Sequence, residues 1–177
     1  MSWDTVFAAT NALAFAAWLV LILAPRGGLT GALVMYVGVG MLCAAYSAGL
    51  ALLLAGGGGQ LFVELPGIAV VHGFFASDAG AAVGWTHYLA LDLFTGLWIA
   101  RDADAKDFSR LVQIPFLAAT FIAGPIGLFA WLVLRERLSR WQGIAVTTAL
   151  AGLLVLIEPW TLSGGIVPSL LALGAGM

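Results

Sequence analysis

Long apolar stretches, each broken by a few polar residues, make up most of the chain. They run over about residues 5–23, 29–55, 79–100, 111–134 and 141–157. A bilayer-crossing helix needs roughly 20 such residues. Pro25-Arg26-Gly27-Gly28 closes the first stretch and Gly56 to Gly59 the second, and both are sequences that helices do not continue through. The pattern predicts an all-α polytopic membrane protein: about five transmembrane helices in a single domain over residues 1–177.

Residues 61–76, LFVELPGIAVVHGFFA, fit the pattern less well. The stretch is apolar but short, and Glu64, Pro66 and Gly67 interrupt it. An interfacial or re-entrant segment is predicted, because irregular backbone at membrane depth survives only inside protein or beside a water-filled cavity. Asp78 is the expected N-cap of the third span. The fourth span holds Pro115 and Pro125, and a kink or break is expected near Gly124-Pro125. The tail, 161–177, reads as an interfacial helix or a short sixth crossing.

Basic residues in loops favour the cytoplasm. Arg26 and the basic residues of the 101–110 loop fall on one side, which places the N-terminus outside. Arg135, Arg137 and Arg140 then fall on the wrong side. Only a fourth span that re-enters removes the conflict. Trp3, Trp18, Trp98, Trp131, Trp141 and Trp160 lie near expected span ends and read as an aromatic belt. The glycines, alanines and serine of the second span suit close helix packing.

Composition narrows the chemistry. Apolar residues make up 62% and charged residues 9% of the chain, and mean hydropathy is +1.06. Seven Lys or Arg stand against nine Asp or Glu, with no polybasic run, which argues against nucleic acid as a partner. Two histidines are too few for a haem or di-iron site, and no metal site is expected. GGGG at 56–59 lacks the lysine of a phosphate loop. Cys43 is the single cysteine and reads as a buried hydrophobe. The start, Met1-Ser2-Trp3-Asp4, is unlike a cleaved leader.

The polar groups at membrane depth are concentrated in the third span. Such groups are costly in lipid and commonly face a cavity or the protein interior. Trp85, Tyr88 and Asp92, at separations of three, four and seven, share one helix face. His87 is five residues from Asp92, roughly 140° around the axis. Trp85 and Tyr88 are candidate ligand-binding residues; Glu64, His87 and Asp92 are candidate catalytic ones. Each also has a structural reading, as an interhelical hydrogen-bonding group or an interfacial anchor.

ELPGIA at 64–69, the W-x-H-x-L-x-x-D-L-F run from Trp85 to Phe94 and GPIGL at 124–128 together resemble the ABA4-like membrane proteins. The resemblance spans roughly residues 61–135. It implies a small polytopic protein that binds or acts on a carotenoid. The plant member is linked to conversion of the epoxycarotenoid violaxanthin into the allenic neoxanthin. Plant members carry a plastid transit peptide and this chain shows none, so the expected location is a bacterial cytoplasmic (inner) membrane.

Opening an allylic epoxide to an allene needs a proton donor and a base. Asp92 or Glu64 would donate and His87 would accept. The step is redox-neutral and requires no cofactor; a carotenoid would be ligand or substrate. The expected groove lies between the small residues of the second span and the Trp85–Tyr88 wall. Three readings stand: an isomerase-type enzyme acting on a carotenoid or similar isoprenoid, a non-catalytic pigment-binding or photocomplex accessory subunit, and a small transporter. Expected partners are the lipid bilayer and an apolar isoprenoid, with a homo-oligomer or larger pigment–protein complex as the assembly.

Overall fold

The helix boundaries follow local backbone chemistry. In the computed structural model, residues 2–56 and 67–135 are described, together with Thr148. Helix α1 spans Trp3–Leu23. Its N-cap, Ser2, accepts from the Thr5 N–H at 3.3 Å, and it ends where Ala24 turns extended before Pro25, as a residue preceding proline does. Helix α2 spans Gly28–Ala55 without interruption, with a π-helical stretch over Leu33–Val39. Helix α3 covers Ile68–Phe75, α4 Asp78–Ala105, α5 Arg110–Ile122 and α6 Gly124–Arg135. Residues 1–132 form one compact unit and residues 133–177 a second.

Helix α4 is the axis of the first unit and packs against α1, α2, α3 and α5. Its buried residues, among them Val83, Leu89, Leu93, Leu97 and Ile99, therefore occur on more than one face. Small residues set the spacing. A Cβ on Gly38 of α2 would lie 2.9 Å from Ala17 and 3.0 Å from Leu93, and one on Gly96 of α4 would enter the Trp18 ring. Gly80 and Gly84 of α4 leave no room for a side chain under Phe74 and Phe75, so the end of α3 folds directly onto α4. The two helices meet at 100°. Ser77, not Asp78, is the N-cap of α4: its hydroxyl oxygen accepts from the Gly80 N–H at 3.0 Å. Asp78 is instead in the first turn.

The outward surface is as apolar as the core. Leu23, Leu29, Tyr36, Leu52, Leu111 and Ile122 are all well exposed, as expected of a face solvated by lipid. The protein is a multi-pass membrane protein. Helices α1 and α2 are each long and apolar enough to cross, and α3 with α4 adds a third if that bent pair is one span. The crossing expected at 141–157 and the tail 161–177 lie outside the described residues.

The expected fourth span is two helices. The chain breaks at Ala123 (φ −153°, ψ 83°), one residue before Gly124-Pro125, and then doubles back. Gly127 packs on Thr120 so closely that a Cβ there would overlap it. The Trp131 ring stands 5.5 Å from Phe116 and 5.3 Å from Phe108, and its indole N–H donates to Asp102 at 2.9 Å. A continuous helix would separate residues 116 and 131 by about 22 Å. Helices α5 and α6 are therefore a re-entrant hairpin that returns Trp131 to the level where α5 begins. Between Arg110 and Trp131 the chain folds back on itself, so this stretch is not one continuous helix. Trp18 and Trp131 are not belt residues: each is almost wholly buried.

A polar latch ties this end of the bundle together. Arg26 lies 3.6 Å from Asp104 and donates to Gln113 at 2.8 Å. Buried Gln113 donates in turn to Asp104 at 2.8 Å and to the Phe108 carbonyl at 3.0 Å. Arg110 donates to the Ile22 and Ala24 carbonyls at 2.8 and 2.7 Å, satisfying the open end of α1. Burial lowers the pKa of Arg26 from its ordinary value, Asp104 raises it, and the like charge of Arg110 lowers it. The 101–110 segment, expected to be an aqueous loop, is helical to Ala105. It ends on Asp107 at φ 59°, where the Phe108 and Asp107 N–H groups donate to the Ala103 and Asp104 carbonyls at 3.0 and 3.2 Å, a Schellman cap.

Gly96→Ala is expected to cost about 1–3 kcal/mol through overpacking, read as a lowered unfolding midpoint in detergent. Gly73→Ala, where a Cβ meets nothing within 4 Å, is the matched control. It should leave the midpoint unchanged or raise it.

Candidate functional site

Three elements enclose a cavity of about 450 Å³ beside α4, within the ~300–1,000 Å³ of small-molecule sites. Helix α1 contributes Asn11 and Phe15, α4 contributes Trp85 and Tyr88, and the end of α5 contributes Phe121 and Ile122. Phe15, Trp85, Phe121 and Ile122 are exposed, so the mouth of the cavity faces lipid. The groove expected between the second span and the Trp85–Tyr88 wall is thus formed by α1 and the hairpin instead.

The walls are aromatic and mutually braced. The Trp85 and Tyr88 rings lie 5.3 Å apart, tilted by 32°, and Phe7 lies 6.1 Å from Trp85. Phe121 packs edge-on against Trp18 at 5.6 Å. Polar groups are few. The Trp85 indole N–H donates to Asn11 Oδ1 at 3.0 Å, and the Asn11 amide donates to the Phe7 carbonyl at 2.7 Å. Asn11 did not stand out in the pattern reading, although it is the sole asparagine of the chain and sits inside an apolar span, which is the signal that marks it.

Behind the Tyr88 wall is Asp92, near the middle of α4. Tyr88 donates to the Ile122 carbonyl at 3.4 Å, one helical turn before Asp92 on the same face of α4. Asp92 is 8% exposed and lies against the backbone of Gly124. A Cβ on Gly124 would overlap the carboxylate. Ile122 and Gly124 flank the Ala123 break, so Tyr88 and Asp92 hold the hairpin tip. The carboxylate sits where an α-helix begins, at the positive end of its dipole. Asp92 Oδ2 makes no hydrogen bond of standard length among the described residues.

The candidate residues thus fall into separate places. Trp85 and Tyr88 line the cavity, and Asp92 lies directly behind them. His87 projects from another face of α4, exposed, with its ring 5.1 Å from Tyr46 of α2. Glu64 lies outside the described residues. Among the described residues, no group of three or more His, Cys, Asp and Glu side chains has the geometry of a metal site. Cys43 is exposed rather than buried.

Asp92→Ala is expected to destabilise the protein by about 1–3 kcal/mol, because the start of α6 at Gly124 loses the buried polar group packed on it. Asp92→Asn keeps an acceptor oxygen and should cost less. Equal unfolding midpoints for wild type and Asp92→Ala in detergent would contradict this role.

The chain matches the family described as ABA4-like, ABA DEFICIENT 4-like, over residues 5–131. That stretch contains α1, α2, α4, the cavity and most of the hairpin. No curated protein and no solved structure gives a significant match. With the match covering well over half of its length, the chain belongs to the ABA4-like family.

Proposed function

We propose that the protein binds a carotenoid or similar elongated isoprenoid in the cavity between α1, α4 and the hairpin tip. The observation that carries this reading is an aromatic-lined cavity of about 450 Å³ open to the lipid-facing surface. A rigid polyene partitions into the bilayer, so a lateral mouth admits it without passage through water. Apolar walls match its body, and flat indole and phenol rings pack against conjugated chains. A polyene longer than the cavity would extend over the exposed faces of α1 and α5. Family membership supports a carotenoid-related membrane role.

A second reading has its own support. Tyr88 places a hydroxyl at the cavity wall and Asp92 places a buried carboxylate behind it. Together they are a proton-transfer pair beside an apolar ligand. Such a pair suits a redox-neutral isomerisation, with Tyr88 delivering a proton and Asp92 exchanging with it. His87 and Glu64 remain candidates for the base; His87 would reach such a ligand only where the polyene passes between α2 and α4. With Arg26, Arg101, Lys106 and Arg110 toward the cytoplasm, the N-terminus lies outside, and the membrane would be the bacterial cytoplasmic one.

Expression in a carotenoid-producing host, detergent purification and pigment chromatography test the binding reading. Wild type should retain pigment at a fixed ratio to protein. Ala12→Trp, which fills the cavity from α1, should reduce that ratio by at least about tenfold, equivalent to about 1.4 kcal/mol, without lowering the unfolding midpoint. Undiminished pigment in Ala12→Trp overturns the assignment. Tyr88→Phe should keep the pigment; if the chain isomerises its ligand, this variant should return it in the host's own isomeric form, whereas wild type alters it.

A further inference from the structure

A second cavity, of about 120 Å³, lies at the basic end of the bundle between the α1–α2 turn and α4. Its volume is about four times the ~30 Å³ share of a water molecule, room for one tetrahedral oxyanion. Arg26, Gly27, Gly28, Arg101 and Asp104 line it, over a floor of Leu21 and Leu97. We propose that this cavity holds the phosphate of an anionic lipid headgroup.

The charge balance points to an anion. Asp104 is the one carboxylate on the cavity wall, and its charge is already met by Arg26 and by the Gln113 amide. Arg110 gives its hydrogen bonds to neutral carbonyls and retains an uncompensated charge beside Arg26. Among the described residues, Arg101 makes one hydrogen bond, a long one of 3.4 Å to the Gly31 carbonyl. Asp102, on another side of α4, is engaged with Trp131. Two guanidinium groups, Arg26 and Arg101, thus line the cavity against one satisfied carboxylate, with the charge of Arg110 acting on Arg26 from outside it. Guanidinium is the side chain best shaped for bidentate contact with phosphate oxygens.

The backbone adds to this. Gly27, the N-cap of α2, supplies no side-chain hydrogen bond to the first turn. A Cβ on Gly27 or Gly28 would meet nothing within 4 Å, so the space a capping side chain would take is open and continuous with the arginine-lined cavity. The position along the membrane favours a lipid as the source of the phosphate. Leu29 and Leu33, on the first turns of α2, are exposed and offer an apolar track for acyl chains. Basic pockets between transmembrane helices at the cytoplasmic interface are the usual seats of anionic headgroups.

The test uses the full chain purified in a neutral detergent. The unfolding midpoint and native mass spectra are recorded with phosphatidylglycerol, phosphatidylcholine or inorganic phosphate at equal concentration. Phosphatidylglycerol should raise the midpoint and leave retained adducts, and Arg101→Gln should weaken that response about tenfold in lipid concentration. Gly27→Asp separates headgroup binding from simple stabilisation. Its carboxylate caps α2 and occupies the cavity, so the lipid-free midpoint should hold or rise while the phosphatidylglycerol response disappears. An equal response to phosphatidylcholine, or an unchanged phosphatidylglycerol response in Gly27→Asp, overturns the proposal. Inorganic phosphate matching phosphatidylglycerol would reassign the cavity to a free anion and overturn the lipid.

Discussion

A buried carboxylate at the middle of α4 meets the broken backbone between α5 and α6, and the cavity depends on that meeting. Helix ends in hydrocarbon are costly because their open N–H groups have no water to turn to. The Asp92 carboxylate lies against the Gly124 backbone where α6 begins, and Tyr88 donates to the carbonyl where α5 ends. The carboxylate is costly at this depth for the same reason that the helix end is, and each offsets the other. Held in this way, the hairpin tip places Phe121 and Ile122 as one wall of the cavity and leaves a mouth toward lipid.

Packing without water as a driving force explains the rest of the architecture. Lipid solvates leucine as well as the protein interior does, so the helices associate through close contact and hydrogen bonds rather than through segregation of apolar residues. Gly38, Gly80, Gly84 and Gly96 each admit a neighbour that a side chain would exclude. At the basic end, where headgroups and water begin, Arg26, Asp104, Gln113 and Arg110 bind loops and helix termini instead. The two regimes meet along α4, whose Asp78 end packs by small residues and whose Ala105 end packs by charge.

Hydropathy was enough to expose the helical membrane class, the first two spans and the break before Pro125, because each depends on local composition. The polar face of α4 was visible too, since Trp85, Tyr88 and Asp92 recur at helical spacing. The return of α6 was not visible. A proline break looks the same in sequence whether the chain continues across the membrane or doubles back; the direction is decided by Gly127 on Thr120 and Trp131 on Asp102, contacts between distant positions. Tryptophans near span ends read as a belt, yet Trp18 is drawn inward by the space Gly96 leaves. His87 and Asp92 share a helix, but α2 and the hairpin approach different faces of it, so one meets Tyr46 and the other Gly124.

The distance between spin labels at Val112 and Leu132 tests the hairpin, and with it the cavity, most directly. A spanning helix sets these positions about 30 Å apart, twenty residues at ~1.5 Å each. Pulsed electron resonance on the labelled protein in lipid nanodiscs should give a single distribution centred well below 30 Å, as expected when α6 returns alongside α5. A distribution centred near 30 Å would mean that the chain runs straight on past Ala123, leaving Asp92 without its helix end.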